Sequence, residues 1–275
     1  MLHYQTNGSP EFPTLCFLHG FLGRGDDFAV IVNNCLQQFH CVCIDLPGHG
    51  QSLDWPSDAY SMEETAVQVI SVLDHLAIHQ AAFYGYSMGG RLALYLACHF
   101  PDRASQVFLE SASPGLASAV ERQERQARDR ALAVELAQDF SGFLDRWYHQ
   151  PLFQSLRQHA KFPEIHQKRQ RNQPQELAKS LTAMGLGAQP NLWPHLPQLT
   201  QPIQLIAGEW DGKFVAIQQA MAQQLPNAHC TIVPQAGHNV HIEQPTAIQA
   251  IIHAALDRPA SLISSDHPMA NGIGQ

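Results

Sequence analysis

Residues 83–94 read "FYGYSMGGRLAL", and at their centre Gly85-Tyr86-Ser87-Met88-Gly89 makes a G-x-S-x-G pentapeptide. The residues before it, "AAFY", are short, apolar and strand-like, whereas "GGRLALYLACHF" after it has the spacing of an amphipathic helix. A strand that passes into a helix through a serine flanked by glycines predicts a tight turn with Ser87 at its apex, the glycines letting the backbone make it. Arg91 follows one helical turn later, about 6 Å along the axis and on nearly the same face. An activated serine and a fixed cation are therefore expected at one end of one strand.

The pattern of strand and turn recurs on both sides. "TLCFLHG", "HCVCIDLPGHG", "SQVFLES", "PIQLIAGEWD" and "CTIVPQAGH" are each short, rich in Val, Ile, Phe or Cys, and closed by a turn signal. Their near-continuous hydrophobicity predicts strands covered on both faces. Helical patterns lie between several of them, such as "AIQQAMAQQL" and "SMEETAVQVISVLDHLA", the latter with Ser61 and Glu64 in capping-box spacing. This alternation predicts an α/β fold with a mostly parallel, doubly wound sheet.

Between about Pro114 and Pro197 the alternation stops. Segments such as "LASAVERQERQARDRALAVELAQDF", "FSGFLDRWYHQPLFQSL" and "QELAKSLTAMGLG" read as helices and predict a helical lid inserted into the core. Residues 115–195 hold 11 of the 16 Lys and Arg against 8 of the 24 Asp and Glu, so a basic lid sits on an acidic body. The expected organisation is a first core part over 1–113, the lid over 114–197, a second core part over 198–257, and a mobile tail over the polar, aperiodic residues 258–275.

With 275 residues, 45% hydrophobic and 15% charged, the chain is long and apolar enough to bury a substantial core. Its net charge of −8 argues against nucleic-acid binding. The opening "MLHYQTNGSPEFPTL" has no charged segment leading into an apolar one, and no run approaches about eighteen apolar residues, so a soluble, cytoplasmic protein without membrane association is expected. The six cysteines, Cys16, Cys35, Cys41, Cys43, Cys98 and Cys230, contain no C-x-x-C pair and read as small buried hydrophobes. His75 and His79 stand four apart without a flanking motif, which reads as a solvated helix face, and no metal site is expected.

A serine hydroxyl is a poor base or nucleophile until something takes its proton. Asp211 lies in "LIAGEWDGKF", just past one strand, and His238 in "IVPQAGHNVHIE", just past the next, giving the chain order Ser, Asp, His. In an open parallel sheet all three positions converge at the carboxyl edge. Glu209 is the second choice of acid, and His241, lacking the preceding "AG" turn, the second choice of base. The backbone N–H groups of Met88 and of Phe21 in "HGFLG" are expected to form an oxyanion hole, each donor contributing about 3 kcal/mol or more in a transition state. His19 in that loop reads as a structural partner of the turn. The lid adds Arg122, Arg125 and Arg128 at three-residue spacing, then Lys168, Arg169 and Arg171. Many of these would face water beside Glu121, Glu124 and Asp129, yet a basic lid over a serine pocket favours a carboxylate-bearing substrate.

"LHGFLG", "DLPGHGQS", "GYSMGGR", "GEWD" and "AGHN" together resemble the α/β-hydrolase superfamily. "GYSMGGR", "SPGL" followed by "ERQERQARD", "RWYHQPLFQSL", "KRQRNQPQELAKSL" and "GEWDGKF" narrow the resemblance to the 2-succinyl-6-hydroxy-2,4-cyclohexadiene-1-carboxylate synthases of menaquinone and phylloquinone biosynthesis, from the first strand to about residue 250. That resemblance implies a carbon–oxygen lyase with no metal or organic cofactor. It implies proton abstraction from 2-succinyl-5-enolpyruvyl-6-hydroxy-3-cyclohexene-1-carboxylate and elimination of pyruvate, with the histidine-activated serine as base. It places the substrate-binding residues at Tyr86, Arg91, Arg125 and Trp147, and the last arginine at Arg169, with Arg171 as the alternative. Family members often carry a charged residue where this chain has Trp210.

Two other readings use the same residues. One is an esterase, thioesterase or carbon–carbon bond hydrolase acting on an acidic substrate; the other is a non-catalytic protein of this fold that binds a small anion. The oligomeric state stays open, a monomer being compatible with the sequence.

Overall fold

In the computed structural model, which describes residues 1–256, seven strands form one sheet. They are β1 (Tyr4–Asn7), β2 (Thr14–Leu18), β3 (His40–Ile44), β4 (Ala81–Tyr86), β5 (Ala104–Glu110), β6 (Ile203–Gly208) and β7 (Ala228–Val233), in the order β1-β3-β2-β4-β5-β6-β7. Only β1 runs antiparallel to its neighbour. The helices before β5 are α1 (Ala29–Cys35), α2 (Met62–His75) and α3 (Met88–His99), and those after β6 are α9 (Gly212–Ala222), α10 (Val240–Glu243) and α11 (Pro245–Leu256). Between β5 and β6 lie α4 (Ala119–Gln138), α5 (Phe140–Tyr148), α6 (Gln154–Gln158), α7 (Phe162–Arg169) and α8 (Pro174–Met184), with no strand among them.

Side chains alternate across a strand, so a sheet covered on both faces needs apolar residues at every position. Cys16, Leu18, Phe83, Val107, Leu109 and Leu205 join one buried cluster, sealed by Val69 and Leu73 of α2, Leu92 and Leu96 of α3 and Met221 of α9. Their neighbours Leu15, Phe17, Ala82, Tyr84, Phe108 and Ile206 join the opposite cluster, sealed by Ile31 and Val32 of α1 and Ile248 and Ile252 of α11. At about 1.5–3 kcal/mol per fully buried large aliphatic or phenyl side chain, the central strands are a rigid base for what stands at their ends. A third cluster, including Leu136, Phe143, Leu144, Tyr148 and Leu177, belongs to the inserted helices and takes in Leu22 from the loop after β2 and Ile242 from α10.

Most predicted elements form where expected. Ser61 caps α2, its hydroxyl accepting the Glu64 N–H at 3.1 Å. The edges differ. β1 is a polar, largely exposed strand with no apolar alternation to reveal it, and β7 is half-exposed instead of covered on both faces because it closes the other edge. Four cysteines are buried, Cys98 and Cys230 are half-buried, and all six thiols are free. The predicted tail at 258–275 lies outside the described residues.

The chain leaves β2 through α1 to reach β3 on one side, then returns through α2 to β4 on the other. β2 and β4 are thus neighbours whose following loops part at the carboxyl edge, opening a crevice there.

Candidate active site

The turn after β4 lies in this crevice. Ser87 has φ 50° and ψ −105°, and α3 begins at the next residue. A non-glycine residue at positive φ costs on the order of 1–3 kcal/mol. Here the Ser87 N–H donates to the Glu110 carbonyl at 2.8 Å and the Ser87 carbonyl accepts from the Arg91 N–H at 3.0 Å, holding the strained residue from both sides. The glycines serve close approach more than unusual dihedrals. A Cβ on Gly89 would stand 2.0 Å from the Leu18 carbonyl oxygen, and one on Gly85 would stand 2.3 Å from the Gly89 oxygen.

His238 Nε2 lies 3.1 Å from Ser87 Oγ, and His238 Nδ1 lies 2.6 Å from Asp211 Oδ2. With Nδ1–H donated to the carboxylate, Nε2 is left to accept the serine proton, and Asp211 faces the imidazolium that results. Asp211 also starts α9, its Oδ1 accepting the Phe214 N–H at 3.4 Å. Tyr86, Phe153 and Phe214 surround the His238 ring at centroid distances of 5.4, 5.9 and 4.7 Å, which fixes its plane and leaves little room for water. Glu209 is exposed and accepts the Gln235 N–H. His241 is buried, its Nδ1 2.9 Å from Glu110 Oε1, so both second choices are occupied elsewhere.

Met88 and Phe21 line the same cavity as Ser87. Met88 is the first residue of α3, where backbone N–H groups have no acceptor within the helix. The loop after β2 lies against the turn: a Cβ on Gly20 would be 3.5 Å from Ser87 Cβ and 2.6 Å from the Tyr86 ring. His19 shapes that loop, its Nδ1 donating to the Gly20 carbonyl and its Nε2 accepting the Leu46 N–H at 2.9 Å. Burial pushes its pKa down and keeps it neutral.

The cavity measures about 500 Å³. Arg91 of α3, Arg125 and Arg128 of α4, Arg169 of α7 and Lys213 of α9 all line it, as do Tyr86 and Trp147. Trp147 lies edge-on to Phe21 at 5.3 Å and stacks on Phe143 at 5.5 Å, joining the inserted helices to the loop after β2. Arg169 makes a two-pronged pair with Asp27, 2.9 Å to Oδ1 and 2.7 Å to Oδ2. Burial by itself would raise the Asp27 carboxyl and lower the Arg169 guanidinium; their mutual attraction reverses both directions and keeps the pair charged. Arg125 donates to the buried Asp129 at 2.7 Å. Arg91 instead donates to the side-chain oxygen of Gln189 at 3.1 Å.

Other cations of the inserted segment turn away. Arg122 bonds the carbonyls of Leu116 and Ala117, Lys168 pairs with Asp26 and Asp27, and Arg171 is exposed and absent from the cavity wall. Asp27, Gln189 and Lys213 were not visible as site residues in the sequence. An acidic "GDDF" facing a basic insertion was a usable hint for Asp27, whereas a neutral amide in a loop carries no such signal. Among the described residues no three His, Cys, Asp or Glu are grouped to hold a metal, and no helix is long and apolar enough to cross a membrane.

The family model described as alpha/beta hydrolase fold matches residues 13–245. A 2-succinyl-6-hydroxy-2,4-cyclohexadiene-1-carboxylate synthase of Serratia proteamaculans is 36% identical over 92% of this chain and 96% of its own length. A Bacillus subtilis protein provisionally given the same name is 40% identical over 86% of this chain and 87% of its own. Among solved structures, MenH from S. aureus superimposes with a TM-score of 0.89 at 33% identity, covering 93% of this chain and 98% of that one. An ordered Ser–His–Asp relay at the carboxyl edge, an inserted helical layer and relatives matched over nearly their full length lead to one conclusion: the chain is an enzyme of the α/β-hydrolase fold that belongs to the 2-succinyl-6-hydroxy-2,4-cyclohexadiene-1-carboxylate synthase family.

Proposed function

We propose that this protein is a carbon–oxygen lyase that converts 2-succinyl-5-enolpyruvyl-6-hydroxy-3-cyclohexene-1-carboxylate into 2-succinyl-6-hydroxy-2,4-cyclohexadiene-1-carboxylate and pyruvate. It would act in the cytoplasm, in menaquinone or phylloquinone biosynthesis. The observation that carries this reading is the ring of cations around an intact relay: Arg91, Arg125 and Arg169 share one cavity with Ser87 and His238. A neutral ester has no use for them, whereas this substrate carries three carboxylates, on the ring, the succinyl arm and the enolpyruvyl group.

The two chemical names define the electron flow. The proton on the ring carbon next to the succinyl ketone is removed, the ring double bond shifts, and the bond to the enolpyruvyl oxygen breaks. The leaving enolate of pyruvate takes up a proton to become the ketone. Ser87 is the base in this reading, its own proton having passed to His238, and the N–H groups of Phe21 and Met88 receive the oxyanion that develops on the succinyl carbonyl. Arg91, Arg125 and Arg169 hold the carboxylates so that the acidic C–H lies over Ser87, while Tyr86 and Trp147 form the walls. Residues 114–197 serve as the lid over core parts 1–113 and 198–257.

Pyruvate release, followed by coupled oxidation of NADH, tests this directly. Wild-type protein is expected to release pyruvate from the enolpyruvyl substrate, and Ser87→Ala to lower kcat/KM by about 10³-fold or more. No pyruvate above background from the wild type would overturn the reading. Faster turnover of p-nitrophenyl esters than of this substrate would favour the hydrolase alternative.

A further inference from the structure

Two of the cavity arginines face carboxylates of the protein itself, Arg125 on Asp129 and Arg169 on Asp27. Arg91 does not. Its Nη1 bonds the amide oxygen of Gln189, which is 1% exposed and lies on the segment leaving the inserted helices. The Gln189 amide nitrogen donates to the Ser113 carbonyl at 3.0 Å, on the segment leading into those helices, so the oxygen is the atom turned toward Arg91. The Gln189 backbone N–H is bonded to the Gly185 carbonyl, and Leu192 N–H to that of Pro114, tying the two segments together beside α3.

A carboxylate at this position would hold Arg91 equally well and cancel its charge. A neutral acceptor orients the guanidinium without neutralising it. We infer that Gln189 is a positioning and specificity-determining residue: it aims Arg91 into the cavity and keeps its full positive charge available for a substrate carboxylate. The inference rests on the reading of Arg91 as a substrate-binding cation. In agreement, burial and then the neighbouring Arg125 push the Arg91 pKa down to about 10, against the weaker pull of Asp129, as befits a cation short of anionic partners.

The experiment compares Gln189→Glu, close in shape but charged, with Gln189→Met, which loses both hydrogen bonds without adding charge. Two measurements are made on the full chain: binding of succinate by calorimetry, with succinamide as the neutral match, and KM and kcat for pyruvate release. Labelling of Ser87 by a neutral fluorophosphonate checks that the relay stays assembled in each variant. Gln189→Glu is expected to weaken succinate binding and raise KM by about tenfold or more, and Gln189→Met by about threefold, with kcat and succinamide binding changed less. Less than a threefold difference between the two variants in succinate affinity overturns the inference, as does equal loss of succinate and succinamide. Because succinate binding needs no turnover, the inference stands or falls separately from the proposed reaction.

Discussion

Asp27 and Arg169 meet across 142 residues of sequence, with both side chains nearly excluded from solvent, so each buried charge leans on the other. Breaking such a buried pair costs about 3–5 kcal/mol because one charge is left uncompensated. Asp27→Asn is therefore expected to lower the free energy of unfolding by about that amount in a denaturant titration. The pH dependence has a definite sign. The Asp27 carboxyl titrates below its unfolded value, so its contribution is complete above about pH 4 and is lost as pH falls toward the folded value. The variant should accordingly lose less stability than wild type on acidification. Ser87, Asp211 and His238 were legible because each ends a strand in a short turn of recognisable composition, and Arg91 because helical spacing ties it to Ser87. Gln189 was not, since its partner is distant in sequence and a neutral amide leaves no pattern, and Asp27 left only the acidic "GDDF" opposite a basic insertion, which does not name its partner.

At the scale of elements, the turn between β4 and α3 depends on how tightly β2 can pass beside it. The predicted outcome for Gly89→Ala follows from the 2.0 Å that a Cβ would leave to the Leu18 oxygen, a backbone atom that cannot rotate away. The variant should be destabilised by about 1–3 kcal/mol. Its kcat/KM should fall by about 10² or more, because small displacements of a positioned base are costly in rate. Thermal unfolding and pyruvate release measure the two effects. The six parallel strands and the helices between them were readable from apolar runs and capping signals. β1 was not, as four polar residues make a strand only because β3 offers an unpaired edge. Helical periodicity also announced the inserted helices, but not which of their cations turn inward: Arg125 and Arg128 line the cavity while Arg122 folds back on backbone carbonyls.

For the whole molecule, net charge and local charge point in opposite directions. A chain of net charge −8 repels a trianion at long range, whereas the cavity wall, with Arg91, Arg125, Arg128, Arg169 and Lys213 against Asp27 and Asp211, carries more positive than negative groups and attracts it at short range. The local field governs the final approach, so kcat/KM for the proposed substrate is expected to fall steadily as ionic strength rises from about 10 to 300 mM, the range over which screening shortens from about 30 to under 10 Å. A rise with salt would mean that the acidic body dominates encounter. The ways the cavity cations are held also bear on how this site can change over generations. Loss of Arg169 would strip Asp27 of its two-pronged partner and leave only Lys168 beside it, and loss of Asp27 would strand the buried Arg169, so a descendant adapting to an uncharged substrate passes through a weakened intermediate unless it replaces both. Arg91, held by an amide, carries no such penalty. The cation beside the serine is the one a lineage can discard in a single step, and Arg169 is the one that the fold itself retains.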